Sequence, residues 1–195
     1  ILKMGIIGTG RIAHRFYPEA KYVSGVNMEG VYNPHLESAI AYKEKFELKF
    51  GTDRMEEFWG QIDAVYIASP HETHTAYIRQ ALKNGKHVLC EKPMALSGKE
   101  AEELYALASE KGCILMEAIK TAYCPGFQQL LGIARSGVIG AVRDVEAAFT
   151  KLESPDSREL TDLNYGGSFL ELASYPLLAI IKLLGTEYED LRFET

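Results

Sequence analysis

The sequence predicts an α/β protein, in which a doubly wound parallel sheet is followed by an incomplete α+β domain. Through the first 120 residues, short apolar strands alternate with helices of ten or more residues, which is the pattern of βαβ units. After Ala118 this alternation stops, and the remaining chain carries one alternating strand pattern, one amphipathic helix and one strongly apolar helix. We therefore expect two domains, residues 1–120 and residues 121–195.

The chain opens with an apolar strand that leads directly into a glycine turn and a helix. Met4 to Ile7 form the strand, residues 8–13 (GTGRIA) the turn, and the helix is predicted to reach Ala20. This order is the dinucleotide fingerprint of the Rossmann fold, in which a pyrophosphate sits at the helix N-terminus. The cofactor contacts predicted from this turn are Gly8, Thr9, Gly10, Arg11 and Ile12.

The other elements of the first domain are separated by turn residues. We predict strands over residues 28–32, from residue 50, and over residues 63–69, 87–91 and 113–118, with helices over residues 36–46, 55–59, 74–84 and 97–111. Ser97 is expected to cap the last of these helices, and Gly85 and Gly112 are expected to end the helices before them in the left-handed conformation.

The second domain has too few elements to bury a sheet face by itself. We predict a helix over residues 125–136, a turn over 137–140, a strand over 142–150, a polar loop over 151–165, an apolar helix over 166–184 and one strand within 186–195. One strand and one apolar helix need further partners. We expect the chain to be a fragment, the alternative being that another subunit supplies the missing strands.

Composition excludes several classes of partner. A net charge of −6 and a pI near 5.5 argue against binding to nucleic acid. The sequence has no apolar run long enough to span a membrane and no signal-peptide pattern. Three cysteines without C-x-x-C spacing favour reduced thiols and a cytoplasmic location.

Five segments carry a resemblance to a known family. They are GIIGTGRIA at residues 5–13, SPHETH at 69–74, EKP at 91–93, GVIG at 137–140 and GGSFLELASY at 166–175. The chain resembles the glucose–fructose oxidoreductase, inositol dehydrogenase and rhizopine-catabolism family of NAD(P)-dependent oxidoreductases. Within it, the chain is most similar to dihydrodiol and sugar dehydrogenases. The resemblance implies a large open sheet in the substrate domain, and a homo-oligomer where that sheet is present.

The resemblance places Lys92 near the nicotinamide and the substrate hydroxyl. Lys92 follows a parallel strand at its carboxyl end, where open α/β sheets bind ligands, and its ammonium would stabilise a developing alkoxide. Glu91 is expected to orient Lys92. The alternative is a solvated Glu-Lys pair. The family implies that Ser69, Pro70 and His71 contact the cofactor ribose and that His74 caps the next helix near the nicotinamide, although structural roles for both histidines remain open.

Tyr175 and Glu171 lie four residues apart on the predicted helix over residues 166–184, so they share a face. By resemblance, Tyr175 is the second proton-transfer residue and Glu171 binds a substrate hydroxyl, in a place where the family carries Asp. An ordinary inward-facing tyrosine is the alternative. Lys120, in the stretch between the domains, is expected to reach the substrate cleft.

Cofactor choice depends on the end of the second strand. An acidic residue there selects NAD, and an arginine accommodates the phosphate of NADP. Asn33 is neither, and its neutral surroundings favour NADP over NAD. His71 and His74 have a spacing that occurs in metal sites, but no third ligand is evident, so no metal is predicted.

These observations predict an oxidoreductase that transfers hydride between NAD or NADP and a hydroxyl or carbonyl carbon of a sugar, polyol or dihydrodiol. The first alternative is a dinucleotide-binding module without turnover. The second is an S-adenosylmethionine methyltransferase, which shares the glycine turn. It would require an acid where the chain has Asn33, and it leaves EKP at residues 91–93 without a role.

Overall fold

A computed structural model of the chain describes residues 1–162 and 164–192. The chain divides into two compact units, residues 1–118 and residues 119–195. This division falls two residues before the predicted boundary after Lys120, and the assignment of the second unit to a substrate domain stays a prediction. Within the described residues, no helix combines the length and the apolar character needed to span a bilayer.

The first unit contains a six-stranded parallel sheet in the order β3-β2-β1-β4-β5-β6. Its strands are β1 Leu2–Ile7, β2 Val26–Tyr32, β3 Phe50–Thr52, β4 Ala64–Ile67, β5 His87–Cys90 and β6 Leu115–Glu117. The strands β2 and β3 are added outward from β1 on one side, and the chain then crosses over and adds β4, β5 and β6 on the other side of β1. The switch point therefore lies between β1 and β4, and the predicted doubly wound sheet is confirmed.

The helices of the first unit are α1 Arg11–Ala20, α2 Leu36–Phe46, α3 Met55–Gly60, α4 His74–Lys83 and α5 Gly98–Lys111. Local chemistry fixes the ends of α5. The Ser97 hydroxyl accepts a hydrogen bond from the Glu100 N–H at 3.2 Å, which is an N-cap. Gly112 follows the helix with φ near +63°, the left-handed conformation that glycine adopts without strain. Both ends agree with the sequence prediction.

Helices cover both faces of the sheet and bury two apolar clusters. One cluster includes Ile67, Leu82 and Leu104, each fully buried, and the other includes Ile6 and Val31. All four residues of β4 are buried, as expected for a central parallel strand covered on both faces. Burial of a large apolar side chain such as Val65 or Ile67 contributes about 1.5–3 kcal/mol relative to an exposed position.

The second unit is helical, with connecting segments of irregular structure. Its helices are α6 Pro125–Arg135, α7 Arg158–Thr161, α8 Ser168–Leu172 and α9 Ser174–Leu184. Pro125 begins α6, where its missing N–H costs nothing. The predicted turn is present, with the Gly140 N–H donating to the Gly137 carbonyl at 2.9 Å. The short helix α7 lies inside the segment that was predicted to be a loop.

Three predicted elements of the second unit differ from the described structure. Residues 142–150 show strand-like alternation but form no regular secondary structure, because no described segment pairs with them. The helix predicted over residues 166–184 is interrupted at Ala173. Pro176 lacks the N–H that would bond to the Leu172 carbonyl, which explains the interruption. The last predicted strand is absent from residues 186–192, and residues 193–195 lie outside the described residues.

Candidate active site

Most of the predicted site residues of the first unit follow the carboxyl ends of four parallel strands. Gly8, Thr9, Gly10, Arg11 and Ile12 follow β1, Asn33 follows β2, Ser69, Pro70, His71 and His74 follow β4, and Glu91 and Lys92 follow β5. Carboxyl ends of parallel strands share one edge of the sheet. The sheet therefore brings these residues to a single edge, next to the switch point where open α/β sheets bind ligands.

The glycine turn after β1 packs tightly on one side and is open on the other. Gly8 has φ near +100°, and a Cβ there would lie 2.6 Å from the Ala68 carbonyl oxygen. Gly10 is different, because a Cβ at that position would meet no heavy atom within 4 Å. Gly8 is needed for the backbone of the turn, whereas the space above Gly10 is available to a ligand.

The N-terminus of α1 is suited to an anion. Gly10 occupies the N-cap position, no side chain of the described residues caps the helix, and its first turn contains no acidic residue. The first N–H groups of the helix therefore need an outside partner, and the helix dipole favours a negative one. Arg11 is exposed beside them and Ile12 is partly buried. These features fit the diphosphate of a dinucleotide.

Asn33 links the end of β2 to the glycine turn. Its side-chain Nδ2 donates to the Thr9 hydroxyl at 2.8 Å, and its Oδ1 accepts the His35 N–H at 2.9 Å. These two bonds fix which end of the amide is the donor. Each end keeps further hydrogen-bonding capacity for a ribose hydroxyl or a phosphate.

The turn after β4 closes on itself through its own side chains. The Thr73 hydroxyl donates to the Pro70 carbonyl at 2.7 Å and lies 2.7 Å from the Ser69 hydroxyl. His71 begins the 3-10 turn His71–Thr73 and is partly buried. The turn is therefore rigidly shaped before any ligand binds.

His74 does not cap α4, and its contacts match the structural role that the sequence left open; its position near the nicotinamide stays a prediction. The helix α4 begins at His74, its N-cap is Thr73, and no side-chain cap is formed among the described residues. The His74 ring is fully buried, with Nδ1 at 2.8 Å from the Pro93 carbonyl and Nε2 at 2.9 Å from the Ser69 carbonyl. While these bonds hold, both ring nitrogens are occupied, so the ring itself has no polar atom to offer a cofactor.

The loop that carries Lys92 is fixed by bonds on both sides. Glu91 accepts a hydrogen bond from the Tyr66 hydroxyl at 2.6 Å, and its N–H donates to the Ile67 carbonyl at 2.9 Å. After the cis Lys92–Pro93 peptide, the Met94 N–H donates to Glu117 Oε1 at 2.9 Å. Lys92 is partly buried. That Glu91 orients the Lys92 side chain stays a prediction.

Sequence analysis missed Tyr66 and Glu117, which hold this loop. Burial raises the pKa of Tyr66, and the adjacent Glu91 carboxylate raises it further, so the phenol stays a hydrogen-bond donor. Tyr66 also stacks on Phe16, with ring centroids 3.7 Å apart. A signal was available for both residues, since a hydroxyl in a buried strand needs a partner and Glu117 ends the strand beside Glu91.

The predicted substrate residues belong to the second unit. Glu171 lies in α8 and Tyr175 in α9, on either side of the interruption at Ala173, and both are partly buried. The Tyr175 ring stacks on Phe149, with centroids 4.6 Å apart. Lys120 is exposed at the start of the 3-10 turn Lys120–Tyr123. Across the described part of the chain, no group of three or more His, Cys, Asp or Glu residues could hold a metal ion.

Two relatives of known activity match almost the whole chain. A dTDP-3,4-didehydro-2,6-dideoxy-alpha-D-glucose 3-reductase from Actinomadura kijaniata is 32% identical over 196 residues, covering 96% of this chain and 58% of the relative. The scyllo-inositol 2-dehydrogenase (NADP(+)) IolU of Bacillus subtilis (strain 168) is 32% identical over 195 residues, covering 95% of this chain and 59% of that enzyme. The chain thus spans less than two thirds of the length of both.

A solved structure also matches the fold over almost the whole chain. A 3-ketoreductase from Actinomadura kijaniata, in complex with NADP and TDP-benzene, has a TM-score of 0.84 at 31% identity, covering 94% of this chain and 57% of that one. The sequence model of the oxidoreductase family with an NAD-binding Rossmann fold, GFO_IDH_MocA, matches residues 2–119. The chain therefore belongs to the GFO_IDH_MocA oxidoreductase family, as its sequence motifs predicted, and its first unit carries the NAD-binding Rossmann fold of that family.

Proposed function

We propose that the protein is an NAD(P)-dependent oxidoreductase, with NADP preferred, acting on a hydroxyl or carbonyl carbon of a sugar, polyol or dihydrodiol. The observation that carries this proposal is the open, uncapped α1 N-terminus at the same sheet edge as the Lys92 loop. Family membership and NADP-linked relatives support it. The relatives also suggest two substrates to assay first, a nucleotide-linked keto sugar and a cyclic polyol.

In this proposal the first unit binds the cofactor. The N–H groups at the start of α1 bind the diphosphate, Asn33 binds the adenosine ribose or its phosphate, and the turn at Ser69, Pro70 and His71 contacts the second ribose. When bound, the nicotinamide supplies or takes up the hydride. Glu91 and Lys92 lie beside it at the end of β5.

The protein's own part in the reaction is proton handling and substrate binding. The Lys92 ammonium stabilises negative charge on the reacting oxygen, and the Tyr175 hydroxyl donates or accepts the proton. Glu171 accepts a hydrogen bond from a neighbouring substrate hydroxyl, and Lys120 binds another oxygen. These roles follow from the family resemblance and from the motif positions.

The cofactor site is tested by fluorescence titration with NADPH and NADH. Gly10→Ala adds a Cβ that meets no protein atom, so we expect unchanged stability but at least about tenfold weaker binding, or ~1.4 kcal/mol. The control is Gly60→Ala, where a Cβ also meets nothing. Gly8→Ala is unsuitable, because its Cβ would lie 2.6 Å from the Ala68 oxygen and would disturb the fold. Equal affinities for wild type and Gly10→Ala would contradict the site.

Cofactor preference is tested at Asn33. An Asn33→Asp carboxylate would repel the NADP phosphate and accept the ribose hydroxyl of NAD. We expect the ratio of NADPH to NADH affinity to fall by about tenfold or more, equivalent to ~1.4 kcal/mol. An unchanged ratio would show that Asn33 does not face this part of the cofactor.

The rival function is dinucleotide binding without turnover, and the chain's span of 58% of a full-length relative favours considering it. The discriminating measurement is NADPH oxidation with keto-sugar and polyol-derived ketone substrates. We expect Lys92→Met to lower turnover by about 100-fold or more while NADPH still binds. Binding of NADPH without turnover in the wild type would favour the rival.

A further inference from the structure

His74 is a buried polar residue whose bonds the proposed reaction does not use. Its side chain has 0% exposure, deeper than the other buried polar residues Glu29 and Thr52. Nδ1 lies 2.8 Å from the Pro93 carbonyl oxygen, and Nε2 lies 2.9 Å from the Ser69 carbonyl oxygen. Both distances are those of good hydrogen bonds.

Both partners of the ring are backbone carbonyl oxygens, which only accept hydrogen bonds. The two contacts therefore tie one side chain to the main chain of two separate segments. Removing the imidazole would leave buried carbonyl oxygens without this partner, which costs about 1–3 kcal/mol for each unsatisfied group.

The two carbonyls belong to two loops that carry residues of the candidate site. Ser69 begins the turn after β4, and Pro93 follows Lys92 after β5. These strands are neighbours, with Ile67 paired to Cys90. The His74 ring therefore bridges adjacent loops just beyond the point where their own ladder of hydrogen bonds ends.

We propose that His74 is a positioning residue that joins the Ser69 turn to the Lys92 loop through its two ring nitrogens. The bridge holds the Pro93 carbonyl, and with it the backbone that carries Lys92, at a fixed distance from the Ser69 turn. The importance of this position for turnover rests on the proposed function, but the bridge itself does not.

The ring also contacts a second histidine of the same turn. His71 lies edge-on to His74 at a centroid distance of 5.6 Å. His87 provides an internal comparison, because its Nδ1 accepts the Ile114 N–H at 3.0 Å at the opposite end of β5 from Lys92.

The first test is proton NMR of the histidine ring N–H groups in the full chain. A hydrogen bond to a buried carbonyl protects a ring N–H from exchange with solvent, so we expect a slowly exchanging signal from the His74 ring. His74→Asn assigns this signal by its loss, and His87→Asn, outside the bridge, should leave it unchanged. A His74 ring without a protected N–H would overturn the proposal. This measurement needs no cofactor and no activity.

The second test is amide hydrogen exchange in His74→Phe, which keeps an aromatic ring but removes both ring nitrogens. The Met94 N–H, bonded to Glu117, reports on the Lys92 loop, and the buried Ala39 N–H, bonded to the His35 carbonyl, reports on the opposite half of the sheet. We expect exchange at Met94 to rise by at least about tenfold with Ala39 unchanged. An unchanged Met94, or an equal rise at both amides, would overturn the proposal.

NADPH titration of the same samples separates this proposal from the proposed function. A folded wild type that shows a protected His74 ring N–H but does not bind NADPH would contradict the proposed function and leave the bridge intact. A wild type that binds NADPH without a protected His74 ring N–H would do the reverse. With both intact, His74→Phe should lower turnover by up to about 100-fold, since a misplaced Lys92 loses its geometry.

Discussion

The second unit contains the more apolar helix, α9, but the first unit buries its apolar side chains far more completely. In the first unit, Leu82 and Leu104 are fully buried between helices and sheet. In the second, α9 has the sequence SYPLLAIIKLL, yet Leu177, Ile181 and Leu184 are 38%, 44% and 46% exposed. Among the described residues of the second unit, only one apolar side chain is buried, that of Leu131, which is 2% exposed.

The difference shows which architecture closes its own core. A parallel sheet with helices on both faces buries its central strands, so the first unit encloses its own core. The second unit leaves an apolar groove of about 550 Å³ between α6, the segment over residues 139–146 and the end of α9. Apolar sequence is therefore not enough for a stable unit, because the elements must also enclose one another.

The largest expected consequence is a difference in local stability. We expect amides of β1 and β4 to exchange only through global unfolding, and amides of α9 to exchange through local opening. The protection factors should differ by about 1,000-fold, or ~4 kcal/mol. Hydrogen exchange by mass spectrometry measures both in one sample. Equal protection in the two units would contradict the expected difference in local stability.

A matched pair of leucine truncations tests the same difference through packing. Leu82→Ala in α4 removes a fully buried side chain and should cost about 2–5 kcal/mol of unfolding free energy. Leu184→Ala in α9 removes one that is 46% exposed and should cost less than about 1 kcal/mol. Urea unfolding followed by circular dichroism gives both values. A cost for Leu184→Ala as large as that for Leu82→Ala would mean that α9 is covered in solution.

The sequence was sufficient for the first unit because its signals are local. Glycine and proline mark the ends of strands and helices, and the order of elements implies a parallel sheet. The predicted bounds of α1 and α2 match the structure, and the strands differ only at their ends. Residues 142–150 show the limit of this reasoning, because alternation predicts a face to be buried but does not supply the neighbouring strand.

The candidate site was predictable where a motif lies next to a strand end, and not where contacts span the sequence. The glycine turn and the Lys92 loop were found from strand ends. The bonds from Tyr66 to Glu91 and from the Met94 N–H to Glu117 join residues 25 and 23 positions apart, which spacing alone does not reveal. For the same reason, the sequence left the role of His74 open between a ligand contact and a structural histidine, because its bonds to the Ser69 and Pro93 carbonyls span 5 and 19 positions.

Alkaline pH should act on the first unit through its buried phenols. Burial raises the pKa of Tyr66, and the Glu91 carboxylate raises it further, so the folded state keeps the phenol neutral. The stability gained from this neutral phenol is complete below the ordinary tyrosine pKa of 10.0. It is lost as pH rises from there towards the higher pKa of the folded state, because the phenol of the unfolded chain ionises first. Burial acts in the same direction on Tyr42. Stability measured by urea unfolding should therefore fall above pH 10.

Tyr66→Phe separates this effect from the loss of a contact. The substitution leaves Glu91 without its phenol donor and should cost about 1–3 kcal/mol near neutral pH. Above pH 10 its stability should fall less steeply than that of the wild type, because one raised pKa is gone. Tyr188→Phe, at a site that is 75% exposed, is the control. Parallel slopes for wild type and Tyr66→Phe would contradict the assignment.

The smallest effect concerns the second unit, and it responds to acid. Asp162 Oδ1 accepts the N–H groups of Asn164 and Tyr165 at 2.9 and 3.0 Å, and Arg158 donates to Oδ2 at 3.1 Å. The Tyr165 N–H, then the Asn164 N–H and Arg158, lower the pKa of Asp162. Its small stabilising contribution is therefore present above the ordinary value of 3.8 and is lost as pH falls through the lower folded value.

Carbon-13 NMR of the Asp162 carboxyl group measures this directly, with Asp162→Asn assigning the signal. We expect a titration midpoint below 3.8. The network joins residues within a few positions of one another, so it needs no core from the rest of the unit. A midpoint at or above 3.8 would show that even this turn does not form in the isolated chain. A lower midpoint combined with weak protection of α9 would show that local hydrogen bonds in the second unit persist where its packing does not.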